Sequence, residues 1–173
     1  LKSLVENLSD KAAKFNREID FGLRVHVVVR ETEEEAREYA NSIISKLEIE
    51  KGTEIRERAL DSKSLGVSRQ KKMRDLSKKD GYIEPNLWTG IGKGRSGCGA
   101  AIVGNPDQII NKLNKYMKMG IRSFILSGYP HKEECKIFAK LVLPKLKTIS
   151  LLQEQNKMPI NEPLTPLAAG TRV

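Results

Sequence analysis

The run Phe21–Val29 (FGLRVHVVV) constrains the fold of this chain more than any other feature of its sequence. Its β-branched residues are crowded at χ1 in a helix and pack well on a pleated surface, so a strand bounded by polar neighbours is expected. Three residues later Thr32 and Glu35 have the spacing of a capping box. The Thr hydroxyl can accept from the third backbone N–H while the carboxylate reaches back to the cap. Ala36, Ala40, Ile43, Ile44 and Leu47 then recur at helical spacing as a buried stripe. One strand followed by one helix is the unit from which parallel α/β sheets are built.

The same unit recurs twice. Ala100–Val103 is a short apolar strand, Asn105 can cap the next helix and Pro106 suits its first position. Ile109, Ile110, Leu113 and Met117 give that helix an apolar face, and Gly120 ends it. Ile121–Ser127 (IRSFILS) is a third strand. A Gly128–Tyr129–Pro130 turn leads to a helix over Glu133–Leu143, with Phe138, Ala139, Val142 and Leu143 inward, before Pro144. Ahead of these units, Leu1, Leu4, Val5, Leu8 and Ala12 predict an amphipathic helix ending near Asn16. The βαβαβα pattern favours a parallel sheet, doubly wound or closed as a barrel.

From about 48 to 97 the rhythm breaks into a charged stretch and a glycine-rich loop, which reads as an insertion outside the core. Residues 1–149 are expected to form the domain and 150–173, polar and proline-containing, a poorly ordered tail. At 173 residues the length suits one domain. No apolar run approaches the roughly 20 residues of a membrane span, and the first ten residues lack the pattern of a secretory signal. Two cysteines, Cys98 and Cys135, are too few for a disulfide scaffold and fit a reducing cytoplasm. The first residue is Leu rather than Met, so translation is expected to begin upstream.

A formal net charge of +9 favours anionic partners. Ten Lys/Arg against five acids fall between Lys51 and Asp80, yet no aromatic residue is interleaved with them and no nucleic-acid-binding motif is present. A solvated segment is the plainer reading there, and neither a nucleic-acid nor a membrane partner is expected.

Ligands of parallel α/β folds sit at the carboxyl ends of the strands. Arg24 and His26 lie two apart on the first strand, so they share a face; if that strand is covered on both sides they must bind an anion or be paired. A strand with one solvated face is the alternative. The loop GIGKGRSGCG around Arg95 could fold over a phosphate or sulfonate, or be a plain linker; it lacks P-loop spacing. Ser127–Gly128–Tyr129–Pro130–His131 puts backbone donors, a phenol and an imidazole after the third strand. No metal site is expected, because neither histidine has a partner at ligand spacing.

Three blocks, FGLRVHVVVRETEEEA, PNLWTGIGKGRSGCGAAIVGNPDQI and GIRSFILSGYPHKEE with FAKLVLPKL, resemble in order the C-terminal portion of FMNH2-dependent alkanesulfonate monooxygenases, which are bacterial luciferase-like flavin monooxygenases. The resemblance implies the C-terminal part of a TIM (β/α)8 barrel, three strand–helix units with a lid-like insertion, with further strands upstream. It implies oxidation of an alkanesulfonate by O2 and FMNH2 to an aldehyde and sulfite, with water and oxidised FMN as the other products. It also implies reduced FMN from a separate NAD(P)H-dependent FMN reductase, and a homo-oligomer. Arg24 and His26 match the family's catalytic Arg and His. Arg95 matches the mobile-loop Arg, Tyr129 the tyrosine lining the same pocket, and His131 lies in the same substrate- or flavin-binding motif.

Overall fold

The computed structural model describes residues 1–58, 64–94 and 99–149. The proposed tail, 150–173, lies outside the described residues. Helix α1 (Lys2–Ala13) precedes strand β1 (Phe21–Val29), and α2 (Glu33–Ile44) follows it with the Thr32–Glu35 capping box formed in both directions. After α3 (Ile49–Arg58) and α4 (Leu65–Asp75) come two short strands, β2 (Tyr82–Glu84) and β3 (Leu87–Trp88), and a 3-10 turn at Gly90–Lys93. Strand β4 (Ala101–Gly104), helix α5 (Pro106–Met117), strand β5 (Ile121–Ser127) and helix α6 (His131–Leu141) complete the order.

The α/β architecture with three strand–helix units is the expected one. Its sheet is ordered β2-β3-β4-β1-β5, with β4, β1 and β5 parallel and the β2–β3 hairpin antiparallel at one edge. Strand β1 is therefore central: the chain leaves it in one direction to reach β4, then passes back across it to reach β5. With crossovers of one hand, these opposite directions put α2 on one face and α5 on the other. The two cores show that partition. Val25, Val27 and Val29 pack with Ile102, Ile109, Leu113 and Val142 on the α5–α6 face, while Val28 packs with Ala36, Ala40, Trp88 and Val103 on the α2 face.

Part of the segment read as an insertion belongs to the core, which corrects that reading. Tyr82, Leu87, Trp88 and Ile91 are buried, and Trp88, 1% exposed, is among the largest fully enclosed side chains. Pairing of β3 with β4 extends the sheet, and Trp88 and Ile91 pack on its α2 face, something that a loop-like composition rich in glycine does not advertise. A Cβ at Gly90 would fall within 2.1 Å of the Trp88 ring, so only glycine lets the chain cross the indole there. By contrast α4 buries no residue, and Leu65 and Leu76 at its ends are exposed.

Other expectations need smaller corrections. Helix α1 ends three residues before Asn16, and of its apolar stripe only Val5 is buried, packed near Gly120; Leu1, Leu4 and Leu8 are exposed. On α5, Tyr116 and the Lys112 stem are buried where Met117 was expected. The Lys112 ammonium is compensated by Glu84 at 2.6 Å and the Pro85 carbonyl at 2.8 Å. Helix α6 begins and ends two residues earlier than expected, with Ala139 and Leu143 exposed.

Candidate functional site

Helices on opposite faces leave a crevice between neighbouring strands at their carboxyl ends, the usual ligand position in open α/β sheets. Here α2 follows β1 on one face and α6 follows β5 on the other. At the carboxyl ends of β1 and β5, beside α6, lies a cavity of about 430 Å³ lined by Arg24, Val27, Val29, Leu126, Ser127, Gly128, Tyr129, His131, Glu134, Cys135 and Phe138. That volume lies within the range of small-molecule sites. Apolar side chains form one part of the wall, and guanidinium, hydroxyl, phenol, imidazole, carboxylate and thiol side chains form another.

The structure separates the two first-strand residues that share a face. His26 is buried, 2% exposed, because β1 is covered on both sides from Val25 to Val29. Arg24 is exposed and reaches the cavity, because that cover stops short of the strand's first half. His26 does not form the cavity wall itself; its Nδ1 is 2.8 Å from the Ser127 Oγ, and its ring lies 5.2 Å from the Tyr129 ring. Its contribution is thus to hold Ser127 and Tyr129, both of which face the cavity.

The Gly128–His131 turn brings two expected side chains together. Tyr129 and His131 rings are 4.7 Å apart. His131 Nδ1 lies 2.5 Å from the Gly128 carbonyl, and since a carbonyl can only accept, Nδ1 carries the proton. Nε2 is then the nitrogen left to exchange a proton. Gly128 is required by close approach: a Cβ there would stand 2.5 Å from Glu134 Cβ. Arg95, the fifth expected residue, lies outside the described residues.

Three functional candidates escaped the sequence reading. Arg30 donates to both oxygens of Glu134, at 3.1 and 2.7 Å, and its guanidinium lies 3.7 Å from the centre of the Tyr39 ring. The Tyr39 hydroxyl donates to the Tyr129 carbonyl at 3.0 Å. Glu134 is 4% exposed and lines the cavity. Burial raises the Tyr39 pKa, the Glu134 charge adds to the rise and Arg30 opposes it. A usable signal existed: Arg30 continues the alternation of Arg24, His26 and Val28 to the carboxyl end of β1, where ligands are sought. Among the described residues no cluster of His, Cys, Asp or Glu is placed to hold a metal, and no helix is long and apolar enough to cross a membrane.

Comparison with known proteins adds a family. The family model described as luciferase-like monooxygenase matches residues 1–123. The chain is similar to a sulfoquinovose monooxygenase of Agrobacterium fabrum, 57% identical over 163 residues, which cover 94% of this chain and 42% of the relative. A sulfoquinovose monooxygenase of Novosphingobium aromaticivorans is 53% identical over 146 residues, covering 84% of this chain and 40% of that protein. The chain thus spans well under half the length of these relatives. Among solved structures, a long-chain alkane monooxygenase superposes with a TM-score of 0.52 at 20% identity, over 92% of this chain and 35% of the other. That likeness concerns the fold, the α/β architecture of a luciferase-like TIM barrel of which this chain matches a part.

Proposed function

The chain belongs to the luciferase-like monooxygenase family, and from that premise we propose that its crevice is the headgroup end of a site where a flavin-dependent monooxygenase oxidises an organosulfonate. The observation that carries this reading is the convergence of Arg24, Ser127, Tyr129 and His131 on one cavity at the carboxyl ends of β1 and β5. A sulfonate is charged at every physiological pH, and removing it from water requires an always-charged donor with further hydrogen bonds converging on its oxygens. Arg24 is such a donor. The names of the two curated relatives favour sulfoquinovose, a sulfonated sugar, over the simple alkanesulfonate that the sequence blocks suggest.

The lining also fits FMN in chemical character: Val27, Val29, Leu126 and Phe138 offer apolar surface to a planar ring, Tyr129 offers an aromatic face, and Arg24 offers a partner to an anionic group. Reduced FMN, supplied by a separate NAD(P)H-dependent reductase, would bring the electrons that activate O2. The protein's own tasks follow from its geometry. Arg24 holds and orients the sulfonate. His131, with its proton fixed on Nδ1 by the Gly128 carbonyl, can take or return a proton at Nε2. His26 fixes the Ser127 hydroxyl, and Arg95 is proposed, from the resemblance, as a further contact to the bound molecules.

Sulfite release tests the reading. Supplied with FMN, NADPH, a flavin reductase and O2, the protein should release sulfite from sulfoquinovose and less from octanesulfonate. Arg24→Ala should lower the rate roughly ten- to hundredfold, the worth of a charged hydrogen-bonded partner. Oxidation of a sulfur-free substrate with no sulfite from either sulfonate would overturn the assignment.

A further inference from the structure

A carboxylate in the wall of a cavity that is to receive an anion is a contradiction unless it is neutralised in place. Glu134 is that carboxylate: it lines the cavity and is almost wholly enclosed. Arg30 grips both of its oxygens in a fork-to-fork pair, while its guanidinium plane packs on Tyr39, so neither partner can turn without losing a charged hydrogen bond. The arrangement reaches the turn as well. Tyr39 donates to the Tyr129 carbonyl, and the Glu134 stem packs against Gly128.

We propose that Arg30 is the charge-compensating residue of this crevice, cancelling the Glu134 carboxylate so that the site admits an anionic headgroup, and, with Tyr39, a positioning residue for the turn that carries Tyr129 and His131. Exposed pairs gain little from such contacts, but an enclosed charge that loses its partner is costly and its field is poorly screened. The consequence is signed. Without Arg30 the wall is negative and repels a sulfonate; without Glu134 the guanidinium is released and adds to Arg24. A pair serving only to hold the fold would weaken every ligand alike when either member is removed.

The inference rests on the sulfonate reading of the crevice, and the experiment separates the two. Methanesulfonate and the neutral dimethyl sulfone are titrated into the full chain, its Arg30→Gln and Glu134→Gln variants and the double variant, and binding is followed by NMR at Tyr129 and His131. Arg30→Gln should weaken methanesulfonate at least tenfold with little change for dimethyl sulfone. Glu134→Gln should bind methanesulfonate several-fold more tightly relative to the sulfone, and the double variant should return towards the parent. Equal loss for both probes in both single variants, or an unchanged methanesulfonate affinity in Arg30→Gln, would overturn the proposal. If Arg30→Gln does not fold, the preference of Glu134→Gln decides alone: a gain for the anion supports the role and a loss overturns it.

A parent chain that binds neither probe counts against the sulfonate reading, and the charge role is then decided at Tyr39. Its phenol, raised by burial, further raised by Glu134 and lowered by Arg30, should ionise at lower pH in Glu134→Gln and at higher pH in Arg30→Gln. Shifts of the same sign in both variants would overturn the charge role.

Discussion

The two halves of the β1–β5 pair obey the same alternation and end in different environments. From Val25 to Val29 every residue of β1 is buried, since α2 and the Trp88 and Tyr129 side chains cover one face while α5 and α6 cover the other. From Phe21 to Arg24 the cover on the α2 face is missing: Gly22 and Arg24 are exposed, as are Ser123 and Ile125 on β5, the last at 66%. Alternation fixes which side a residue faces; only the neighbouring elements fix whether that side is dry. Arg24 and His26 share a face, and the boundary between covered and bare sheet falls between them. That boundary gives the site a reachable guanidinium beside an enclosed imidazole.

The sharpest way to break the contrast is to remove the cover. Trp88→Ala should cost about 3–5 kcal/mol, as expected when a fully enclosed indole is cut back to a methyl, measured by urea unfolding, and should make His26 accessible to chemical modification. A loss below 1 kcal/mol would mean that the Trp88 side chain does not shield this face. Gly128→Ala comes next. Its new methyl collides with the Glu134 stem, so a loss of about 1–3 kcal/mol is expected together with displaced Tyr129 and His131 NMR signals.

Tyr82 sharpens the contrast from the covered side. Its hydroxyl is buried with no hydrogen-bond partner among the described residues, so Tyr82→Phe should stabilise the chain by about 1 kcal/mol. Burial pushes its pKa up from 10 to about 12. Because the folded state holds the proton more firmly than the unfolded state, this contribution is complete below pH 10 and is lost as pH rises towards 12. Urea unfolding against pH should show less alkaline loss in Tyr82→Phe than in the parent. The smallest effect belongs to the bare half, where Ile125→Ala should change stability by no more than about 0.5 kcal/mol.

Local chemistry made much of this legible. The Thr32 capping box and the Asn105 cap form as expected, Pro106 opens α5, and β5 spans the residues that its pattern marks. What the sequence did not disclose depends on contacts between distant segments. No periodicity in Tyr82–Lys93 announces that a glycine-rich stretch will lay its tryptophan under β1, because the signal is shape matching to α2 and β4 rather than a repeat. The apolar stripe of α1 overstates burial for the same reason: spacing marks a face but not the surface it meets, and only Val5 meets the sheet. At the site, Tyr129 and His131 were legible from the turn between β5 and α6. Arg30 and Glu134, 104 positions apart, become a pair only when β1 and α6 are packed together.

The most direct test of the account follows the backbone amides of the labelled chain as methanesulfonate is added. Shifts centred on Gly128, Tyr129 and His131 are expected, and they should vanish in Arg24→Gln. Shifts that persist in that variant, or that centre instead on the basic residues of α4, would contradict it.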